Sequence, residues 1–255
     1  MAQRKSISCI IPAFNEAERI GEVIKAAKNS SMVGEIIVIN DGSTDNTSKV
    51  ISTFKGIKII DYRKNKGKSF AVLQGIKSSK NKILLLLDSD LIGLKSSDLD
   101  KLIEPVVKGK VDASISMRLN GGSKIWKKLW SYIGIDPLSG ERVFHKRILG
   151  DINQLKKING YEIEVFLNRK IIEKKLAVKI VQWDNVIGPW KSQKLGNFFL
   201  GTKNDLLMML QIFKSAGIFG LAYHTYHLKK LSIPQNRRAS GALRLVRESL
   251  KFLFF

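Results

Sequence analysis

Two aspartates separated by one serine, Asp88 and Asp90, follow directly on the aliphatic run ILLLL. Such a run is typical of a strand buried on both faces of a parallel sheet, and ligands bind beyond the carboxyl ends of such strands. Two carboxylates in this spacing are hard oxygen ligands, which suit Mg²⁺ or Mn²⁺ held together with phosphate groups. An ordinary Asp-containing turn after a strand has the same pattern. Other residues must decide between these interpretations.

Further polar clusters stand where other aliphatic runs give way to loops. In chain order they contain Pro12, Phe14 and Glu16, then Asp41, then Lys68. Taken singly, the clusters are also typical of a helix cap, an Asp-Gly turn and a surface loop. If the runs are parallel strands, however, all of these side chains lie along one edge of one sheet, where they can form a single site.

The first half of the chain alternates aliphatic runs with segments of helical periodicity. Strands are predicted at 6–12, 35–40, 57–62, 83–87 and 111–116. Helices are predicted between them, the first from residue 15 to 28 with Asn15 and Glu18 forming a capping box. This alternation predicts an α/β fold with a mostly parallel sheet flanked by helices. Further along, a helix is expected at 162–174 and a strand at 177–183, with 184–204 irregular.

The composition predicts a globular protein with a polyanionic partner. The chain has 255 residues, of which 44% are hydrophobic, and a formal net charge of +22. This charge favours nucleic acid, anionic lipid or phosphorylated substrates as partners, or it reflects a Lys-rich solvated surface. No helix-turn-helix, zinc-finger or RNA-binding signature occurs, so no nucleic acid is expected. The single cysteine, Cys9, excludes an intrachain disulfide, and P-loop and GxGxxG motifs are absent.

The last fifty residues have a different pattern. Residues 206–213 are apolar on nearly all sides of a helix, which indicates burial in a core, in an oligomer or at a membrane. Residues 243–253 form a basic amphipathic pattern that fits either a membrane-surface helix or a helix packed on the domain. We expect one domain at 1–204 and a helical segment at 205–255. The absence of a signal peptide or a long apolar window predicts a cytoplasmic location, peripheral on the inner face of the cell membrane.

As a set, the motifs resemble those of the GT-A nucleotide-sugar glycosyltransferases, family 2 in particular. The matching segments are IIPAFNEAERI, EIIVINDGSTDNT, NKGKSFAVLQGI and LLLLDSDL. Any one segment is a weak signal, whereas all four in this order are specific. The resemblance implies a GT-A fold, with residues 1–118 as the nucleotide-sugar-binding half and 119–204 as the acceptor half, and hexosyltransferase activity.

The resemblance also implies how the nucleotide is bound. Pro12, Phe14 and Glu16 would line the nucleotide. Asp41 would accept hydrogen bonds from the edge of the base, as an ionised carboxylate can. Lys68 would lie near the nucleotide and its phosphates.

The same resemblance assigns the metal to the Asp88-Ser89-Asp90 segment. Asp88 and Ser89 would contact the donor, and Asp90, with Asp88 as a second candidate ligand, would bind Mg²⁺ or Mn²⁺. The metal would neutralise charge on the leaving diphosphate. Many relatives complete the metal site with a later histidine, but residues 185–196 contain none.

The segments DPLSGERVF (136–144) and GYEIEVFL (160–167) resemble the acceptor regions of polyprenyl-phosphate glycosyltransferases and of glucosyl-3-phosphoglycerate synthase. The resemblance implies transfer of a hexose from a UDP- or GDP-linked donor to a polyprenyl phosphate or a similar membrane-associated acceptor. The alternative is transfer to a soluble phosphorylated acceptor such as 3-phosphoglycerate. A nucleic-acid-binding protein is a remote third hypothesis.

The two acceptor hypotheses need different residues. A hydroxyl acceptor needs a carboxylate to take its proton, for which the candidates are Asp136, Glu141, Glu162 and Glu164. Because Glu162 and Glu164 point in different directions on a helix, at most one of them reaches the site. A phosphate acceptor needs no base, only positioning and positive charge. Candidates for contact with the acceptor or the diphosphate are Arg118, Gly140, Glu141, Arg142, Lys191 and Lys194.

Overall fold

A computed structural model describes residues 6–120, 136–157, 162–189, 217 and 220–233. Lys191 and Lys194 lie outside these residues, as do the boundary predicted at residue 204 and the helices predicted at 206–213 and 243–253.

Within the described residues, seven strands form one sheet in the order β3-β2-β1-β4-β6-β5-β7. The strands are β1 (Ile7–Ala13), β2 (Val33–Asp41), β3 (Lys58–Tyr62), β4 (Ile83–Leu86), β5 (Ala113–Asn120), β6 (Arg142–His145) and β7 (Val178–Ile187). Strands β1 to β4 are mutually parallel, and β7 is parallel to β5. Strand β6 runs antiparallel to both β4 and β5. The predicted α/β fold with a mostly parallel sheet is confirmed.

Helices cover both faces of the sheet. They are α1 (Ile20–Asn29), α2 (Thr47–Ser52), α3 (Lys68–Ser78), α4 (Ser96–Val107), α5 (Glu162–Glu173) and α6 (Gly220–Leu231), with 3₁₀ turns at Lys146–Leu149 and Ile152–Lys157. Adjacent residues of β1 point into different layers: Ile11 belongs to the core under α1 and α4, and Ile10 to the core under α3 and α5. Both isoleucines are fully buried, so β1 is fixed by packing on both faces of the sheet.

The first helix begins later than predicted. It starts at Ile20, and no side chain caps it, so the predicted capping box of Asn15 and Glu18 is wrong. Asn15 has φ +56, in the left-handed region that Asn tolerates. Its Oδ1 accepts a hydrogen bond from the Thr44 N–H at 2.8 Å, which ties this segment to the loop after β2 instead of to a helix.

The second half differs in two elements. Strand β6 begins within the segment 136–144 and ends at His145, where no strand is predicted from the sequence, because four residues are too few to show a period. Strand β7 continues to Ile187, so residues 184–187 are not irregular as predicted. Helix α6, part of the predicted C-terminal segment, contributes the fully buried Leu228 to the core under α3 and α5. No helix in the described part of the chain is long and apolar enough to cross a membrane.

Candidate active site

The predicted strand-end residues lie along the carboxyl edge of the parallel strands. Pro12 lies in β1, Asp41 is the last residue of β2, and Asp88 and Asp90 follow β4 in a turn. In the sheet order, β1 stands between β2 and β4, so these residues share one edge. The sequence predicted this grouping because each motif directly follows its strand.

Asp41 is held by the loop that precedes α3. Its carboxylate accepts hydrogen bonds from the N–H groups of Lys66 at 3.0 Å and Gly67 at 2.7 Å. Gly42, with φ +73, makes this approach possible, since a Cβ there would lie 2.5 Å from the backbone of Lys64. Burial raises the pKa of Asp41, although the two N–H groups oppose the rise. The carboxylate therefore fixes the loop that leads to Lys68.

The loops after β1 and β2 are hydrogen-bonded to each other. The Asn15 N–H donates to Ser43 Oγ at 2.9 Å, and the Ala17 N–H donates to Asp45 Oδ2 at 3.1 Å. Glu16 is buried between them, and its N–H donates to Thr47 Oγ1 at 2.8 Å. These contacts hold the backbone beside Phe14, a residue that is 44% exposed.

Lys68 joins two carboxylates from different parts of the fold. Its Nζ lies 2.7 Å from Asp88 Oδ1 and 2.7 Å from Glu164 Oε1. Burial lowers the pKa of Lys68, but the two carboxylates outweigh burial and raise the pKa well above its ordinary value. The three side chains line one pocket together with Pro12 and Arg142. Glu164 is 4% exposed, whereas Glu162 on the same helix is half-buried.

Gly140 is the point where the segment 136–142 touches the strand-end aspartates. A Cβ at Gly140 would lie 2.5 Å from Asp88 Oδ2 and 2.7 Å from its Oδ1. The backbone of this segment therefore packs directly on the Asp88 carboxylate. With Lys68 on another side, the carboxylate is held in one orientation.

Glu141 and Arg118 form an ion pair beneath this contact. Arg118 Nη1 donates to Glu141 Oε1 at 3.0 Å, and the hydroxyls of Ser116 and Ser139 donate to Oε2 at 2.7 and 2.9 Å. Burial raises the pKa of Glu141, and Arg118 opposes the rise. Burial lowers the pKa of Arg118, but Glu141 and the nearby Asp88 outweigh it, so the pKa is raised. Glu141 is fully buried, and the Arg118 side chain keeps 19% exposure.

Arg142 is 1% exposed and has buried partners. Its guanidinium donates to the carbonyls of Ser139 and Pro137, both at 2.7 Å, and to Asn168 Oδ1 at 2.5 Å. Asn168 also donates to the Pro137 carbonyl at 2.8 Å. These contacts hold the segment 136–142 in shape, and contact of Glu141 and Arg142 with an acceptor stays a prediction.

The remaining predicted residues have local roles. Asp136 Oδ1 accepts a hydrogen bond from the Leu138 N–H at 2.9 Å, and burial raises the pKa of Asp136 while Arg118 opposes this. Ser89 is buried in the turn between the two aspartates. Sequence reasoning missed Ser116, Ser139 and Asn168, for which only the neighbouring charged residues gave a signal.

Asp88 and Asp90 suit a divalent cation, although they do not form a cage made of protein ligands alone. In the ranges described, no three His, Cys, Asp or Glu side chains come together at a metal site. Mg²⁺ often binds through one or two carboxylates, with phosphate oxygens and water as its other ligands. Because Lys68 already neutralises Asp88, a diphosphate-bound cation fits best at Asp90 with Asp88 beside it.

Known proteins share the sequence around this site. The segment 8–174 matches the family described as Glycosyl transferase family 2. The chain is 33% identical over 94 residues to a dolichyl-phosphate beta-glucosyltransferase of Trichomonas vaginalis, covering 32% of this chain and 28% of that protein. It is 32% identical over 124 residues to a dolichol-phosphate mannosyltransferase of Pyrococcus furiosus, covering 47% and 35%. The matches span well under half of either relative.

The fold also has a close counterpart among solved structures. The crystal structure of glucosyl-3-phosphoglycerate synthase from Mycobacterium tuberculosis, in complex with Mn²⁺, UDP and phosphoglyceric acid, superposes with a TM-score of 0.62 at 21% identity. The match covers 84% of this chain and 80% of that one, and at this identity it shows a shared fold. The predicted resemblance is confirmed, because the family match spans most of the chain: the protein belongs to glycosyl transferase family 2.

Proposed function

We propose that this protein is a glycosyltransferase that moves a hexose from a UDP- or GDP-linked donor to a polyprenyl phosphate. The observation that carries the proposal is the Lys68 ammonium, held 2.7 Å from both Asp88 and Glu164 at the carboxyl edge of the sheet. This arrangement puts a fixed positive charge beside the carboxylates that follow β4, where the diphosphate of a nucleotide-sugar would lie.

The loops after β1 and β2 would hold the nucleotide. The exposed ring of Phe14 offers an apolar face to a base. Asp41 keeps its loop closed through Lys66 and Gly67, and each carboxylate oxygen can accept a further hydrogen bond from the base. Pro12 and Glu16, which are both buried, would line the nucleotide from the same loop as Phe14.

Asp90, with Asp88 beside it, would hold Mg²⁺ or Mn²⁺. When bound, the cation supplies charge neutralisation for the leaving diphosphate. Lys68 adds a cation that the protein itself provides, and Gly140 keeps Asp88 from turning away.

Glu164 would contact the transferred sugar. Its Oε1 is paired with Lys68, and within the described residues its buried Oε2 has no hydrogen-bond partner. A buried carboxylate oxygen without a donor is costly, and a sugar hydroxyl is a donor of suitable size. Glu162 and Asp136 remain the candidates that would act as a base on a hydroxyl acceptor.

A phosphate acceptor needs positioning and positive charge, for which Arg118 is the candidate. A phosphate monoester has a second pKa of about 6, so at neutral pH it is a nucleophile that needs no base. Arg118, which keeps part of its side chain exposed, can position it. The dolichyl-phosphate and dolichol-phosphate transferases among the relatives support this acceptor over a soluble one.

The net charge of +22 supports a location at an anionic membrane surface, where a polyprenyl phosphate resides. We expect the protein to sediment with anionic lipid vesicles at low salt, and to be released by high salt. Sedimentation with neutral vesicles to the same extent would contradict an electrostatic attachment.

The function is tested by product formation. The protein is incubated with Mg²⁺ or Mn²⁺ and a panel of UDP- and GDP-hexoses, with polyprenyl phosphate, 3-phosphoglycerate or no acceptor. We expect nucleoside diphosphate release and labelled sugar in the lipid phase for one donor with polyprenyl phosphate. Transfer to 3-phosphoglycerate alone would favour the soluble acceptor, and no release with any pair would refute the proposal.

A further inference from the structure

Two exposed isoleucines form a pair immediately beside the aspartate turn. Ile92 and Ile187 bridge in antiparallel fashion, each N–H donating to the other's carbonyl at 2.9 Å. The two residues are 46% and 36% exposed, whereas Leu91, which lies between Asp90 and Ile92, is 1% exposed. Asp90 therefore leads through one buried residue to an apolar surface that faces solvent.

The pair also adjoins the cation of the site. Ile187 is followed by Gly188, and a Cβ at Gly188 would collide with the guanidinium of Arg118. Arg118 is paired with Glu141, and the adjacent Gly140 packs on the Asp88 carboxylate, so the guanidinium lies close to the aspartate turn. A positive charge and an exposed aliphatic surface thus lie side by side at the aspartate turn.

We propose that Ile92 and Ile187 contact the isoprenoid chain of the acceptor as it leaves the site, while the phosphate lies at Arg118. This inference rests on the proposed function. The charge and the apolar surface match the two ends of one amphiphile: a phosphate head is attracted to the guanidinium, and its chain gains free energy by leaving water on the isoleucines. A soluble phosphorylated acceptor would have no use for the apolar pair.

The test compares acceptor affinity with turnover. The double variant Ile92→Ser/Ile187→Ser is assayed with long-chain polyprenyl phosphate for KM and kcat, and the dissociation constant of the nucleotide-sugar donor is measured. The control is Ile59→Ser, because Ile59 is 40% exposed but lies on β3, at the opposite edge of the sheet from β7. Since the bridge uses backbone atoms only, the substitutions leave its hydrogen bonds available.

We expect the double variant to raise the acceptor KM about tenfold, with kcat and donor affinity unchanged. Ile59→Ser should match the parent, and Ile92→Val/Ile187→Val should restore most of the affinity. An unchanged KM in the double variant would overturn the inference while leaving the proposed function intact. Loss of donor affinity together with kcat would also overturn it, since the pair would then be supporting the aspartate turn. A parent inactive on polyprenyl phosphate would refute the proposed function itself.

Discussion

The donor side of the site and the segment 136–142 hold their polar residues in different ways. On the donor side, the carboxylates of Asp41 and Asp45 accept hydrogen bonds from backbone N–H groups of neighbouring loops; Asp41 is buried and Asp45 is exposed. In segment 136–142, Glu141 and Arg142 bind side chains and carbonyls in the interior, where each is at most 1% exposed. The donor side therefore has polar groups at loops that a ligand can contact, whereas the charged side chains of the segment 136–142 stabilise that segment.

We therefore expect substitutions on the donor side to affect mainly turnover, and substitutions in the segment 136–142 to affect mainly the free energy of unfolding. A residue that presents its side chain to a ligand can be changed at little structural cost, because water replaces what is lost. A residue in a buried ion pair cannot, because its partner remains buried without compensation. Four substitutions test this division, in order of decreasing effect.

Asp90→Asn should give the largest loss of activity. Removing the charge that would hold the cation should lower kcat/KM about 1,000-fold, or roughly 4 kcal/mol in the barrier. The free energy of unfolding should change by less than about 0.5 kcal/mol, since Asp90 is not buried. Both are measured, by donor turnover and by urea unfolding.

The matched control is Asp151→Asn, because Asp151 is exposed and follows β6. Since β6 runs antiparallel to β4, Asp151 lies towards the amino-terminal ends of the parallel strands, away from Asp90. It should keep parental turnover. If Asp90→Asn destabilises the fold by several kcal/mol, the donor side is also structural and the division fails.

Glu141→Leu should show the opposite pattern, a loss of stability. Arg118 would keep a largely buried charge without its partner, and the hydroxyls of Ser116 and Ser139 would lose their acceptor. We expect a decrease of about 3 kcal/mol in the free energy of unfolding, measured by urea titration.

The comparison variant is Glu104→Gln, which breaks the exposed ion pair between Glu104 in α4 and Lys108, the residue that follows the helix. It should have no measurable effect, because exposed pairs contribute little. Equal stability of the two variants would mean that the segment 136–142 does not depend on its buried charges.

The same contrast explains what the sequence could predict. The sequence predicts the position of Asp41, Asp88 and Asp90 on the sheet edge because Asp41 ends its strand and the other two follow theirs, and the strand pattern is local. The burial of Glu141 and Arg142 could not be predicted in the same way, because charged side chains are usually exposed. Their partners, Arg118 and Asn168, are 23 and 26 residues away in sequence, so their burial follows from the tertiary fold.

Helix α1 shows the same limit on a smaller scale. Asn15 has the residue type of a helix cap, but its side chain binds Thr44, 29 residues away. A capping pattern in the sequence cannot register a competing donor from another loop. The helix therefore starts at Ile20, after a loop whose form is set by contacts across the sheet edge.

Gly140→Ala tests the contact between the two regions. The added Cβ would lie 2.5 Å from Asp88 Oδ2, so the carboxylate must move or the segment must shift. We expect kcat/KM to decrease about 100-fold, because displacement of a group at the reacting centre by about 1 Å has an effect of this size. Donor affinity and turnover are measured by steady-state kinetics.

Gly21→Ala is the matched control. Gly21 lies in helix α1, and a Cβ there would make ordinary contacts at 3.8 Å with the side chains of Phe54 and Val50. The substitution should therefore leave turnover unchanged. Full activity of Gly140→Ala would show that Asp88 is not positioned by the segment 136–142, so that the two regions act independently.

Asp45→Asn should have the smallest effect, and the effect should depend on pH. Burial raises the pKa of Asp45, but hydrogen bonds from Thr47 and Ala17 outweigh burial and hold the pKa below its ordinary value of 3.8. The folded state therefore binds this proton less readily than the unfolded state, so the stabilisation is present above the ordinary pKa and is lost as the pH falls through the folded-state pKa. Because Asp45 is exposed, we expect the free energy of unfolding of the variant to be lower by only about 1 kcal/mol at pH 7.

Urea unfolding of parent and variant from pH 7 to pH 3 should show this difference shrinking below about pH 4. A difference that stays constant over that range would mean that the hydrogen bonds of Asp45 do not depend on its negative charge. The charge of this carboxylate would then contribute nothing to the stability of the donor side.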